Sequence, residues 1–372
     1  MAVVAVTAVG YLLASGPLVG TDNAGWARHI VADTPRQIWA SSHFGQVLNY
    51  LVLEGLAWLD PAVTAFTAMR LVSYGMGLLY VAALALLATT SPGRGRIAFF
   101  IIGALSPLTV FLHGEEEIPY YPFPVLLLVA ALWRRAGRAQ GAERGGALSA
   151  LGGLAAAFHG VGLFFLPGIA ALGWGASSAR RSAREGVRAT LDSMVMFFGP
   201  TGALFVFYVL AFPVVSIFPG DAGGGGQRTL FVPLFGTIPA FHEFRAYSFF
   251  SLTHLQDVVL VVVMGAPALL VLAAWAVARG RSVAAQLRAD APLWVLAGCG
   301  LVFVTFFYPG VSVFVTQSIL VPALSLAQVL AALTLVSADS APWRRSFPAL
   351  LLVTVAATAF DWAHAGTNST TF

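Results

Sequence analysis

The sequence predicts an all-α polytopic membrane protein with about eleven transmembrane helices, on three observations. The chain is 58% hydrophobic and only 10% charged over 372 residues, more apolar surface than soluble cores can hide, so lipid has to be part of its solvent. Charge-free runs of helical length recur along it. Arginine occupies every second connector between those runs, the pattern that cytoplasmic loops follow.

A spanning helix needs about 20 apolar residues, fewer inside a bundle. Candidate spans fall at 3–19, 62–90, 97–112, 119–133, 147–158, 160–175, 191–218, 256–278, 291–308, 311–336 and 347–360. The first lacks a basic flank and is longer than the apolar core of a leader, so it is read as a retained helix despite Ala14-Ser15-Gly16 near its end. Fifteen of the twenty arginines lie in the connectors around 94–96, 134–144, 180–188, 279–288 and 344–345, which puts the N-terminus in the cytoplasm. This parity requires 147–175 to be a hairpin of two short helices turning at Phe158-His159-Gly160. A single helix there would send three arginine-rich connectors outside.

Two external segments, 20–61 and 219–253, exceed simple connectors. The first holds amphipathic stretches at Trp26 to Ile38 and Phe44 to Leu59, suited to interfacial helices with Trp26, Trp39 and Trp58 at headgroup level. The second contains Gly223 to Gly226; no strand precedes that run and no lysine follows, so it reads as a hinge or lid and not a phosphate cradle.

Composition excludes several classes. Every basic residue is arginine, as in a GC-rich bacterial genome, so no P-loop or Schiff-base lysine exists. The lone Cys299 rules out a disulfide framework and a cysteine metal site. A net charge of +4 could suit nucleic acid, but the arginines are scattered in short loops, and no nucleic-acid partner is expected.

With topology assigned, all seven histidines and eleven acids, among them Asp22, Glu54 and Asp60, fall outside or at the outer boundary. Positive-inside sorting explains part of the acid bias but not the histidines. Asp22, three residues past the first span, fits two roles: a cap for a helix starting near Ala24, or a general base facing a substrate that arrives through the membrane. His113-Gly114-Glu115-Glu116-Glu117-Ile118-Pro119-Tyr120-Tyr121 is the densest polar cluster. Its three adjacent carboxylates repel, so one carries a raised pKa or shares a cation, with Glu117 the first candidate. His159 reads either as a structural donor or as a group facing the same side as Asp22 and Glu117. Arg70, about 12 Å into its span if the helix starts near Ala62, needs an acidic or phosphate partner. His254 and Asp257, spaced i and i+3, share a helix face. The sequence requires no cofactor; its Glu and His set leaves room for a divalent metal, without the spacing of any metal motif.

These motifs, in order, resemble bacterial GT-C-fold membrane glycosyltransferases. They are Asp22 after the first span; Gly114 to Glu117 before the Tyr/Pro-rich helix; His159-Gly160-Val161-Gly162-Leu163-Phe164-Phe165-Leu166-Pro167 breaking an Ala-rich helix; and His254-Leu255-Gln256-Asp257 opening a later one. The resemblance covers 1–275, which it implies is a catalytic transmembrane module, with 276–372 as C-terminal transmembrane helices. It implies inverting transfer of a sugar from a polyprenyl-phosphate carrier to a lipid, glycan or protein acceptor on the extracytoplasmic face of the bacterial cytoplasmic membrane. Asp22 would be the general base, with Glu117 and His159 lining the cavity. His43, His113, Glu115, Glu116, His254 and Asp257 would contact substrate, and Arg70 and Arg245 would help the leaving phosphate without matching a family motif. The chain departs from the pattern in Asn23 after Asp22, in His43-Phe44 where relatives pair histidines, and in 308–320, which lacks an acidic element. A transporter or flippase of a lipid-linked or small anionic substrate is the rival, although such proteins place ionisable groups at the bilayer midplane.

Overall fold

The computed structural model describes residues 27, 30, 44–91, 95–114, 120–177, 182–211, 232, 234, 238–239, 246–306, 320–337 and 347–359. The chain is all-α. Its helices are α1 (Phe44–Leu59), α2 (Ala65–Ala88), α3 (Gly95–Ala104), α4 (Pro107–Gly114), α5 (Pro122–Phe158), α6 (Leu166–Ser177), α7 (Ala183–Ala211), α8 (Leu252–Gly265), α9 (Pro267–Ala289), α10 (Ala291–Phe306), α11 (Ser325–Ser337) and α12 (Phe347–Ala359). A 3-10 helix (Gly160–Phe165) precedes α6, a single turn (Val321–Ala323) precedes α11, and Ile238–Pro239 pairs antiparallel with Ala246–Tyr247.

Several expected spans are interrupted. Among the described residues only α2 is long and apolar enough to cross a membrane alone; α8 with the first part of α9 passes the same test as a pair bent by 100°. The run 256–278 therefore breaks, at Ala266, because Pro267 has no N–H to continue the ladder and starts a new helix at N1. The run 97–112 breaks likewise between α3 and α4, ahead of Pro107. Conversely, the connector 134–144 is helical. It continues α5 and is interrupted only at Gly137, whose φ of 66° and ψ of 164° lie in a region reserved for glycine. Helix α7 begins at Ala183, ahead of the expected 191.

The helices fall into two compact units: 1–87, 111–224 and 366–372 form the first, and 88–110 with 225–365 the second. In the second, α9 to α11 pack with α8 and α3.

In the first unit the second arm of α5 turns back at His159. The returning chain lies along that arm, with Gly162 against the backbone of Ala155 and Ala156 and Ile169 against Gly152. The sequence read a reversal at this histidine, and the 3-10 helix completes it. Helix α7 closes on the same arm where Gly153 meets the Phe197 backbone, and Thr201 Oγ1 donates to the Gly153 carbonyl at 3.1 Å.

In the second unit α11 is buried from Ser325 to Val336, as a helix apolar on all sides must be. It packs on α3, α9 and α10. The break at Ala266 leaves backbone donors at the start of α9, and the buried Gln328 of α11 serves one. Its Oε1 accepts from Ala268 N at 2.7 Å, while Nε2 donates to Thr354 Oγ1 at 3.4 Å. Replacing Gln328 with Leu is expected to lower the thermal unfolding midpoint, with a loss of about 1–3 kcal/mol for the stranded donor. An unchanged midpoint would show that the break needs no side-chain cap.

Candidate functional site

The first unit gathers several segments that flank the sequence-predicted residues. Ala27 and Ile30, helical and buried, pack with Ala65 and Met69 of α2 and with Tyr50 and Leu53 of α1, so part of the 20–61 segment is docked on both helices. Thr64 caps α2, its Oγ1 accepting from Thr67 N at 3.3 Å, and Asp60 Oδ1 accepts from Ala62 N at 2.9 Å. Because α2 starts at Ala65 and not near Ala62, Arg70 lies about 7.5 Å along the helix axis, shallower than the sequence suggested, and is half-buried. One turn further, Ser73 Oγ donates to the Leu112 carbonyl at 3.0 Å. That carbonyl lies at the end of α4, immediately before His113 and the acidic run.

A second set of contacts joins α1 to both ends of α5. Tyr121 OH donates to Asn49 Oδ1 at 3.2 Å, both residues being fully buried. The Phe158 ring stands edge-on to Tyr121, with centroids 6.3 Å apart, and lies 5.8 Å from Phe44. Burial first, then the charge and hydrogen bond of Glu54, push the Tyr50 phenol above its ordinary pKa, so it stays a donor toward that carboxylate.

His159 follows Phe158 with extended backbone, and its Nδ1 accepts from Val161 N at 3.2 Å, capping the 3-10 helix. That bond fixes the neutral tautomer, with the proton on Nε2. A ring held this way can offer an N–H to an oxygen, and to act as a base at Nε2 it must first surrender that proton. At Nδ1 the ring serves the backbone as an acceptor.

The remaining predicted residues divide. His254 and Asp257 lie in the second unit, on α8. Ser251 caps that helix, accepting from His254 N at 3.1 Å. His254 is buried, its ring 5.2 Å from Phe249, and it interacts with the Thr305 backbone and with Asp257, as their spacing predicts. Asp22, His43, Glu115, Glu116, Glu117 and Arg245 lie outside the described residues, as do the side chain of His113 and the segments 219–231 and 307–319. Among the described residues no three His, Cys, Asp or Glu groups come together as a metal site.

Sequence reasoning missed Gln46 and Asn49, and gave Tyr121, at the end of the polar cluster, no role of its own. Gln46 and Asn49 are spaced i and i+3, so both amides share one face of α1, and that face is buried. Two amides on the inner face of an amphipathic helix were the available signal. Compared with models of known protein families, with curated proteins and with solved structures, the chain matches none.

Proposed function

We propose that the chain is a bacterial integral membrane glycosyltransferase of the GT-C type, with about eleven spans and its active face extracytoplasmic. It moves a sugar, with inversion, from a polyprenyl-phosphate carrier to a lipid, glycan or protein acceptor, with Asp22 as general base. One observation carries the reading: the segments next to the predicted residues pack together within the first unit. Phe44, which follows His43, meets Phe158, which precedes His159, and Phe158 in turn adjoins Tyr121, four residues past Glu117.

The lipid setting is supported by apolar side chains left on helix surfaces. Val187, Leu191, Val195 and Phe198 form an exposed stripe on α7, and Leu252, Leu255 and Val259 one on α8. Soluble proteins rarely expose such contiguous apolar faces. The short helices and the bent pair α8–α9 then act as partial spans, and the break is tolerated where a neighbouring helix satisfies the backbone.

The bent pair also favours a second reading, transport of a lipid-linked or small anionic substrate, because discontinuous helices recur in transporter sites. The two diverge in product. Membranes containing the chain, supplied with polyprenyl-phosphate sugars, should form a glycosylated acceptor; movement of the carrier across the bilayer with no new glycosidic bond would favour transport. For topology, a cysteine at position 116 should react with an impermeant thiol reagent from outside the cell, and labelling only from the cytoplasm would overturn the orientation.

A further inference from the structure

Helix α1 is turned inside out for a helix in water. Gln46 and Asn49 are 0% exposed, while Leu51, Trp58 and Leu59 are 53%, 87% and 72% exposed. The outward apolar residues suit a lipid or interfacial setting; the inward amides need another reason. Asn49 Oδ1 is used by Tyr121, but its Nδ2, equally buried, has no hydrogen-bond partner among the described residues. A buried amide donor left unmatched is costly, and native proteins fill such positions with water or ligand. Tyr121, which donates to this amide, packs its ring edge-on to Phe158, and Phe158 lies against Phe44, so a directional polar group stands at the end of an aromatic cluster, a pairing found in small-molecule sites.

We infer that the Asn49 carboxamide, anchored by Tyr121 whose ring packs on Phe158, is the hydroxyl-binding contact of a sugar subsite in the first unit. The anchoring leaves one end of a planar amide to face a ligand at fixed orientation. Tyr121, Phe44 and Phe158 bring no cation to it, which suits a neutral ring bearing hydroxyls better than a phosphate. The apolar face of such a ring can lie against the aromatic side chains while a hydroxyl accepts from Nδ2. Naming the sugar as the transferred group rests on the glycosyltransferase reading; the subsite itself does not.

The test titrates the full chain, purified in detergent, with free hexoses and pentoses, and separately with inorganic phosphate, by saturation-transfer NMR. At least one sugar should bind the wild type, with Kd about tenfold weaker in Asn49→Leu, the change expected for one lost hydrogen bond. The thermal midpoint of Asn49→Leu without sugar should stay close to the wild type's, because leucine removes the stranded Nδ2 donor but also takes the Oδ1 acceptor from the Tyr121 hydroxyl. Asn49→Ala covers the case in which leucine does not fit. Unchanged sugar affinity in either folded variant, binding of phosphate alone, no sugar binding to the wild type, or a collapse of both variants would each overturn the subsite. Asp22→Asn separates the two ideas, since it should keep sugar binding while losing transfer. Asn49-dependent sugar binding in a chain that transfers nothing would uphold the subsite and remove the glycosyltransferase reading.

Discussion

Asp22→Asn is expected to lower sugar transfer from a polyprenyl-phosphate carrier by about 10²–10⁴-fold in kcat, the range attributed to a positioned general base. The substitution keeps size and hydrogen-bonding capacity but cannot accept the acceptor's proton, so donor KM should stay close to the wild-type value. Asp22 lies eight residues before Ile30, which is packed with α1 and α2. A helix cap would give the opposite pattern: asparagine caps about as well as aspartate, so stability and activity would both survive. Retention of transfer in membranes by Asp22→Asn therefore removes the proposed mechanism and leaves Asp22 as a cap.

Gly153→Ala is expected to produce the largest loss of stability among single-methyl additions. A Cβ at Gly153 would overlap the carbonyl of Phe197, a backbone atom that cannot rotate away, whereas at Gly152 it would meet only the flexible end of Ile169. Overpacking costs about 1–3 kcal/mol when side chains absorb it, and here α7 itself would have to move, so the upper end applies. The Thr201 bond to the Gly153 carbonyl would lengthen with it. Gly202→Ala on α7 is the control: nothing lies within 4 Å of its added methyl, and the helix should gain about 1 kcal/mol of propensity. Equal unfolding midpoints for the two variants in detergent would refute the close approach of α5 and α7.

Helical class was legible because long apolar runs without strand alternation leave little else. The reversal at His159 was legible too, since a polar residue and a glycine interrupt an alanine-rich run. The other breaks were not, because spans marked by freedom from charge pass through Ser106-Pro107 and Ala266-Pro267 without a signal. Proline at N1 was the overlooked cue. The helical connector 134–144 was hidden for the opposite reason: charged residues ended the apolar run, although arginine and alanine both favour helix. At the site, charge drew attention to Asp22, Glu115 to Glu117 and Arg70, whereas Asn49, uncharged, became visible only when the fold buried it with Tyr121. The partner of His159 could not be read either, because it depends on extended backbone at a single residue.

The second unit is assembled from segments that leave the ribosome far apart in time. Helix α3, whose Gly95 lies against Val336, is made before the whole of 111–224. At roughly 5–20 residues per second, its partners begin to emerge on the order of ten seconds later. With 10 residues, α3 is too short to hold itself across a bilayer. During that interval it lacks α11, and a stall or truncation before Val336 would leave its apolar surface without that partner. Biogenesis, more than the finished fold, is where this architecture is most vulnerable.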